Sequence, residues 1–353
     1  DPQPRGSRIG TLSTWSALIW SGDLMMKRVG LPAILTVALF GVVAACAPPS
    51  GGGLTQRLSV ATGGTGGVYY PYGGGVAQVI SDHVDGVEAT AEVTAGTVDN
   101  LKFLANQGAD LAFALADSLD DAAAGRGVFA DFGVVPARAI AVLYDNLNQL
   151  VTLEGTGIET VADLRDRVVS TGAPGSGTEI TAVRVLEAAG LNPGTDIRQQ
   201  SLGVSESVDA LKDDKIDAFF WSGGIPTGAV LDLASTPGRT VKLISNTDTL
   251  PVLFEQHGDA VYHSVTIPSI TYPGMAADAD VIGVANVLVA HESMSEELAY
   301  QITQALFEHH GQLAAVHAEA AKLTLESAVL GSTVPFHEGA IRYYREQNAW
   351  PGN

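Results

Sequence analysis

The sequence predicts an α/β protein built from two lobes, and three observations support this class. Apolar runs of strand length alternate with segments of helical spacing from Leu58 onward. A glycine-rich loop follows the first of these strands, and a second glycine-rich loop precedes a helix near residue 177. Near-continuous apolar strands of this kind suit a parallel sheet that is covered on both faces. The chain of 353 residues is long enough to give each lobe its own core.

The first glycine loop is the strongest candidate for a ligand site. It covers residues 61–75, ATGGTGGVYYPYGGG, between an apolar strand and a segment of helical spacing. A helix start leaves backbone N–H groups unpaired and carries a partial positive charge, so it can hold an anion. The candidate ligand contacts of this loop are Gly64, Thr65, Gly66 and Tyr69. A tight strand-to-helix turn with aromatic residues packed beneath it remains an alternative interpretation.

Two nucleotide-binding motifs and several kinds of catalytic site are not matched by the sequence. A G-x-G start at Gly64 and Gly66 would place Tyr69 where a dinucleotide fingerprint needs its third glycine. No G-x-x-x-x-G-K-[ST] run follows, and no carboxylate pair or Ser/His/Asp spacing is evident. We therefore expect a protein without catalytic activity, cofactor or metal. Three histidines, His309, His310 and His317, are expected at solvated helical positions rather than in a metal site.

The elements after the first loop are predicted in order along the chain. Strands are predicted at 87–93, 109–115, 139–144 and 149–153, and a helix is predicted at 98–106. Thr97 closes a second polar loop before that helix. Asp117 follows the third strand at its carboxyl end, where ligands bind in open α/β sheets. The polar segment 145–148 separates the last two strands, and we place the first crossing between lobes there.

A second α/β set begins near Val161 and repeats the same arrangement. A strand at 167–170 leads into the loop TGAPGSGTE and a helix that ends at Ala189. Ser176 and Glu179 fit a capping box, in which Ser176 caps an N–H of the first turn and Glu179 reaches back. Further elements are predicted as a strand at 216–221, the loop SGGIPT, a helix ending at 234, a strand at 281–291 and a helix at 296–312. Two such loops facing each other would form a cleft for a small molecule.

Composition narrows the choice of partners. The formal net charge of −20 argues against nucleic acid and against anionic membrane surfaces. Hydrophobic residues make up 46% of the chain, which is typical of a folded globular protein. A single cysteine excludes an intramolecular disulfide framework and a thiolate metal cluster.

The N-terminal region carries the pattern of a secretion signal. A basic start, MMKR, opens an apolar segment that is too short for a comfortable membrane span. The segment ends in VAAC, which resembles the lipobox of bacterial lipoproteins, where the cysteine, here Cys46, is lipidated and becomes the first residue. We therefore expect an over-extended, disordered start at 1–24, a signal peptide at 25–46 and a flexible tether at 47–56. The protein would be extracytoplasmic and anchored to the cell membrane through Cys46.

Four motifs, taken together, carry a family resemblance. They are GGTGGVYYP at 63–71, DLRDRVVSTGAPGSGTE at 163–179, ALKDDKIDAFF at 210–220 and VPFHEGAIRYY at 334–344. Together they resemble the TAXI family, the extracytoplasmic substrate-binding proteins of one branch of TRAP transporters. The resemblance covers roughly residues 58–346.

The resemblance implies a fold and a partner. The fold is the two-lobed periplasmic-binding-protein fold of the second type, with the ligand cleft between the lobes. We place lobe 1 at 57–145 and 291–353, and lobe 2 at 146–290. The partner is a separate membrane permease driven by an ion gradient, commonly sodium, and we expect the binding protein to be a monomer.

The resemblance also implies small carboxylates as ligands, with glutamate and related compounds the usual case. The resulting candidate ligand contacts are Gly64, Thr65, Gly66, Tyr69, Thr97, Asn100, Asp117, Ser176, Gly177, Thr178, Trp221 and Pro226. One departure concerns the end of the third strand, where the family often shows Gln-Ser-Asp and this chain has Leu115, Ala116 and Asp117. Two alternatives stay open, a receptor module that feeds a sensor or partner protein, and a secreted enzyme of the same fold.

Overall fold

The computed structural model describes residues 56–351. The strands in this part are β1 (Gln56–Ala61), β2 (Val87–Glu92), β3 (Leu111–Leu115), β4 (Ala137–Leu153), β5 (Val168–Ser170), β6 (Arg198–Gln200), β7 (Ala218–Gly223), β8 (Val241–Ile244), β9 (Tyr262–Ile267) and β10 (Ala279–His291). The α-helices are α1 (Tyr69–His83), α2 (Thr97–Ala105), α3 (Ala116–Ala124), α4 (Gly177–Ala188), α5 (Val204–Lys212), α6 (Gly228–Ala234), α7 (Leu250–His257), α8 (Glu296–Glu308), α9 (His310–Val316) and α10 (Glu338–Glu346). Within residues 56–351, no helix combines the length and the apolar character that crossing a membrane requires.

The strands form one mixed sheet in the order β2-β1-β3-β10-β4-β7-β5-β6, with β8 beside β4 and β9 beside β10. At one end β1 pairs in parallel with β2 and β3, and at the other β5 pairs in parallel with β6 and β7. The antiparallel strands β10 and β4 lie between these two parallel groups and pair with each other. The predicted α/β class is confirmed.

The two central strands serve both groups. Residues 286–290 of β10 pair with β3, whereas residues 279–284 pair with β9. In the same way, residues 137–148 of β4 pair with β10, and residues 147–151 pair with β7. The two groups of strands are therefore joined through a pair of long strands that cross from one group to the other.

Three buried apolar clusters hold the helices on this sheet. One packs α1, α8 and α10 against β1 and includes Tyr72 and Tyr344. A second packs α5 and α6 against β7 and includes Phe219. The third reaches from α2 and α3 across the central strands to α4, and it includes Leu119 and Leu186. Because full burial of one large apolar side chain is worth about 1.5–3 kcal/mol, this third cluster contributes strongly to holding the two groups of strands together.

Most predicted elements are found within two residues of their expected bounds, but two predictions are wrong. The strands expected at 139–144 and 149–153 are one continuous strand, β4. The polar segment between them does not form a loop, because amide side chains in it and beside it find partners inside the protein. The Asn148 side chain donates to the Ser222 Oγ at 2.9 Å, and the Gln149 Oε1 accepts from the Tyr272 hydroxyl at 2.7 Å.

The second correction concerns the helix expected at 296–312. The structure divides it into α8 and α9 at His309, which has non-helical backbone angles. The three histidines of this region are half-buried rather than solvated. The His310 ring is hydrogen-bonded to the Ala320 carbonyl at 2.8 Å, and the His309 ring stacks on His83 with centroids 3.3 Å apart. These contacts hold the chain where it changes direction, so the break in the helix has a tertiary cause.

The N-terminal predictions fall mainly outside the described part of the chain. The expected over-extended start, signal peptide and lipidated Cys46 all precede residue 56. The expected tether at 47–56 also lies outside it, except for Gln56. That residue is the first of β1, so it belongs to a strand and not to the expected tether.

Candidate functional site: a cavity at the strand ends

A cavity of about 390 Å³ lies where loops from the two groups of strands meet. Its walls follow the carboxyl ends of β1, β2 and β3 on one side and of β5, β6 and β7 on the other. The lining residues are 63–69, 93–97, 115, 172–173, 176–178, 202–206 and 221–223. The carboxyl ends of parallel strands are the usual ligand position in open α/β sheets.

Four helices, α1, α2, α4 and α5, begin at the wall of this cavity. Their first residues are Tyr69, Thr97, Gly177 and Val204. Each helix start presents backbone N–H groups that have no partner within the helix, together with the positive end of the helix dipole. None of the residues that line the cavity is Lys, Arg or His. The backbone is therefore the source of positive potential among the lining residues.

The first loop adds two hydroxyl groups, from Thr65 and Tyr69. Thr65 is exposed at the cavity, and the Tyr69 hydroxyl accepts a hydrogen bond from the Asn146 Nδ2 at 3.2 Å. Burial raises the pKa of Tyr69 well above its ordinary value, although the side chains of Thr97 and Asn146 act in the opposite direction. Tyr69 therefore stays a neutral phenol that can donate its proton in a hydrogen bond to an anion.

On the opposite wall, Ser176 and Thr178 are already hydrogen-bonded within the protein. The Ser176 Oγ accepts from the Glu179 N at 3.1 Å, as the predicted cap requires. Glu179 does not complete the capping box, because its carboxylate accepts from the Gly175 N at 3.2 Å instead of from the Ser176 N. The Thr178 Oγ1 accepts from the Ser222 N at 3.1 Å. Both hydroxyls use an oxygen lone pair in these bonds and can still donate a proton to a ligand.

Trp221 forms an apolar wall of the cavity and lies against the first loop. Its indole N–H donates to the Thr227 Oγ1 at 2.9 Å, so the ring rather than the N–H faces the available space. A Cβ at Gly67 would lie 2.8 Å from the ring, which explains why the loop needs glycine at this position. Gly66 joins the first loop to the start of α6, since its carbonyl accepts a hydrogen bond from the Ala229 N at 3.4 Å.

Nine of the twelve predicted contacts line this cavity, namely Gly64, Thr65, Gly66, Tyr69, Thr97, Ser176, Gly177, Thr178 and Trp221. Their role in ligand binding stays a prediction. The other three predicted contacts, Asn100, Asp117 and Pro226, do not line it.

Asn100 is fully buried and connects neighbouring strands. Its Nδ2 donates to the Thr62 carbonyl at 2.6 Å and to the Phe113 carbonyl at 2.8 Å, and its Oδ1 accepts from the Thr94 hydroxyl at 2.6 Å. All of these partners are protein groups, so Asn100 organises the wall of the cavity without reaching into it.

Asp117 is buried in a charge network away from the cavity. Its carboxylate accepts from Thr181 at 2.9 Å and from Tyr262 at 3.2 Å, and it lies 3.6 Å from Arg184. Pro226 lines a separate crevice, on the other side of the first loop and beside Val316 and His317.

Several lining residues were missed by reasoning from the sequence alone. They are chiefly the polar residues Thr94, Ser205, Glu206 and Ser222. Ser205 and Glu206 lie in the first turn of α5, and one glycine, Gly203, stands immediately before this helix. The available signal for these residues was a glycine before a segment with apolar residues at helical spacing. This signal is weaker than the glycine-rich runs of the other two loops.

Comparison with solved structures places this arrangement in a known fold. A structure described as that of a periplasmic transporter is 11% identical, and the match covers 86% of this chain and 95% of that chain with a TM-score of 0.50. The aliphatic sulphonate binding protein SsuA from Escherichia coli is 14% identical, with 76% and 75% covered and a TM-score of 0.43. A putative L-cystine ABC transporter from Listeria monocytogenes is 14% identical, with 74% and 94% covered and a TM-score of 0.44. The predicted two-lobed fold of periplasmic binding proteins is confirmed.

The family assignment rests on the sequence over almost the whole described region. A profile of the NMT1-like family matches residues 60–347, a range that includes every loop around the cavity. The chain therefore belongs to the NMT1-like family.

Proposed function

We propose that this protein is the extracytoplasmic binding component of a solute uptake system and holds one small carboxylate or amino acid in the cavity. The observation that carries the proposal is the convergence of four helix starts on a cavity shared by the two groups of strands. Such a cavity suits capture and release of an anionic group, because its donors are fixed by the backbone before the ligand arrives.

A carboxylate is the ligand group that these donors fit best. Hydrogen bonds to a charged group contribute about 1.5–3 kcal/mol each, more than bonds between neutral groups. The donors are the backbone N–H groups at the helix starts and the hydroxyls of Thr65, Tyr69 and Thr178. The formal charge of −20 repels an anion at long range, so several such donors are needed to hold one.

Binding would be coupled to closure of the two lobes. We assign lobe 1 to 57–145 and 291–353 and lobe 2 to 146–290, with β4 and β10 as the connection. In this division, the Asp99 N donates to the Gly175 carbonyl at 3.1 Å across the cleft. A ligand that contacts both walls would favour the closed arrangement over an open one by its extra contacts.

The transport partner is proposed from the sequence motifs and the fold. The four TAXI-like motifs favour a permease of the TRAP type, driven by an ion gradient, and the match to a periplasmic transporter agrees with a transport role. The binding protein would itself be a monomer without catalytic activity, cofactor or metal. Its membrane attachment would be the lipid on Cys46.

The ligand class can be tested by thermal unfolding of the mature chain. A ligand that binds only the folded state stabilises it by RT ln(1 + [L]/Kd), about 2.7 kcal/mol at a hundredfold excess over Kd. Small carboxylates and amino acids should therefore raise the Tm by several degrees. Native mass spectrometry of protein purified without refolding should show a one-to-one complex. Stabilisation by neutral sugars, with no response to any carboxylate, would rule out the proposed ligand class.

The membrane anchor can be tested independently of the ligand. Expression from Met25 should yield a protein whose N-terminal peptide begins at Cys46 and carries the mass of a lipid. Cys46→Ala should remove that mass and release the protein from the membrane fraction. A wild-type peptide without lipid, together with an unchanged membrane fraction in the variant, would contradict the proposed anchor.

A further inference from the structure

The cavity has one charged side chain in its lining, Glu206, in the first turn of α5. Within residues 56–351 this carboxylate has no hydrogen bond or salt bridge, although it lies beside Gly203 at the start of the helix. Since no Lys, Arg or His lines the cavity, a ligand would meet several neutral donors and one acid.

This distribution of charge disfavours a ligand with two carboxylates. The helix starts can hold one carboxylate, but a second would have no lining cation as a partner and would share the cavity with Glu206. Glu206 is exposed at the cavity, and its charge would repel a second carboxylate placed there. An ammonium group would instead be attracted by the Glu206 carboxylate. Its three N–H groups are donors, and the carboxylate oxygens can accept hydrogen bonds from them.

The apolar part of the lining suggests what the rest of the ligand contains. Val93, Leu115, Leu202, Val204 and Trp221 contribute aliphatic and aromatic surface to the cavity. An apolar side chain buried against such surface gains about 25 cal/mol per Å² removed from water. A cavity of about 390 Å³ can accept a ligand with a side chain of this kind.

We infer that the site selects an α-amino acid with an apolar side chain, with its carboxylate at the helix starts and its ammonium group at Glu206. Glu206 is then the residue that sets the charge specificity, because it attracts the ammonium group and repels a second carboxylate. This inference rests on the proposed function, and it narrows the ligand class from carboxylates in general to zwitterions.

A structural role for Glu206 must be separated from recognition. An acid in the first turn of a helix interacts favourably with the helix dipole whether or not a ligand is present. Glu206→Gln would therefore lower the Tm of the unliganded protein slightly on either interpretation. Ligand selectivity is the informative measurement, since the helix dipole alone does not distinguish an amino acid from its oxo-acid analogue.

The experiment compares ligands that share a carbon skeleton and differ in charge. Calorimetric titration would use alanine, valine, leucine and phenylalanine, each paired with the 2-oxo acid of the same side chain, and glutamate as the dicarboxylate. For the best-fitting side chain, the wild-type protein should bind the amino acid at least tenfold more tightly than its oxo acid and more tightly than glutamate. Glu206→Gln should remove most of this preference, chiefly by weakening the amino acid.

Asp209→Asn is the matched control, because Asp209 is exposed on the same helix and does not line the cavity. It removes the same charge and should leave the ligand preference unchanged. Equal binding of amino acid and oxo acid by the wild type, tighter binding of glutamate, or an unchanged preference in Glu206→Gln would overturn the inference while leaving a carboxylate-binding protein. Failure of every carboxylate to bind the wild type would instead refute the proposed function, and the inference with it.

Discussion

Replacing Arg184 by methionine should lower the free energy of unfolding by about 3–5 kcal/mol, because it removes the cation from a buried charge network. The Arg184 Nη1 lies 3.6 Å from the Asp117 Oδ2 and donates to the Tyr262 hydroxyl at 2.8 Å, and its Nη2 bonds to Asp121. The Asp117 side chain is 0% exposed and that of Arg184 is 11% exposed. Without Arg184, the buried Asp117 carboxylate would lose its ion-pair partner.

The energetic cost depends on which partners Asp121 and Asp117 keep after the substitution. Asp121 keeps a second partner, since the Arg126 Nε donates to its Oδ1 at 3.2 Å. Asp117 keeps only neutral donors, including the Ser118 N at 2.6 Å. Burial by itself would lower the pKa of Arg184, but the charges of Asp117 and Asp121 and the hydrogen bond to Tyr262 outweigh it and hold the pKa above its ordinary value. The Arg184 guanidinium therefore stays charged and compensates the buried Asp117 carboxylate.

The network joins α3 to α4, which belong to different lobes in the proposed division, so the loss should appear in global unfolding. Guanidinium denaturation followed by circular dichroism measures it directly. Arg57→Met is the control, because the Arg57 and Glu88 side chains are 85% and 56% exposed and such pairs contribute less than about 1 kcal/mol. If the two substitutions destabilise the protein equally, Arg184 does not have the role assigned to it.

The sequence was sufficient to predict the repeated units of strand, loop and helix, because their signals are local. The strand before residue 62 is apolar, the glycine loop interrupts it, and the helical period begins within ten residues. Ser176 is a comparable case, since a cap acts three residues away on the Glu179 N. Predictions of this type were confirmed within about one turn of a helix.

The centre of the sheet was mispredicted, because its determinants are distant in the sequence. Asn148 looks like a loop residue, yet it lies in the middle of β4 because Ser222 and Asn246 satisfy its amide. These partners are 74 and 98 residues away along the chain. No local pattern marks a buried amide that tertiary contacts will satisfy.

The candidate site shows the same division between local and distant causes. The contacts predicted in the loops at 61–75 and 171–179 line the cavity, because strand ends and helix starts are both visible in the sequence, and their role in binding stays a prediction. Asp117 was expected there for the same reason, but Arg184, 67 positions later, holds it in the charge network. Glu206 was missed because a single glycine, Gly203, precedes the helix that carries it.

Gly177→Ala should disrupt the cavity strongly, because two buried side chains meet α4 at its first residue. A Cβ at Gly177 would lie 2.6 Å from the Leu115 Cδ1 and 2.8 Å from the Thr97 Oγ1. Leu115 and Thr97 are each 1% exposed, and the Thr97 Oγ1 accepts a hydrogen bond from the Leu115 N at 3.2 Å. Neither side chain can move without breaking buried contacts.

Overpacking of this kind costs about 1–3 kcal/mol, and the protein can relieve it by separating the start of α4 from the start of α2. These two helix starts lie on opposite walls of the cavity, so separation would move the proposed carboxylate donors apart. A penalty of 1–3 kcal/mol on the closed arrangement corresponds to roughly 5- to 150-fold weaker ligand binding. Calorimetric titration with the best ligand of the thermal panel would measure this loss.

Gly64→Ala provides the matched control, since Gly64 also lines the cavity but has no heavy atom within 4 Å of the position its Cβ would take. The added methyl group meets no protein atom there, so its effect on stability should be small. Small-angle scattering should show that ligand compacts Gly64→Ala as it does the wild type and compacts Gly177→Ala less. If Gly177→Ala binds and compacts normally, the close approach of the two helix starts is not required for ligand capture, and closure must depend on other contacts between the lobes.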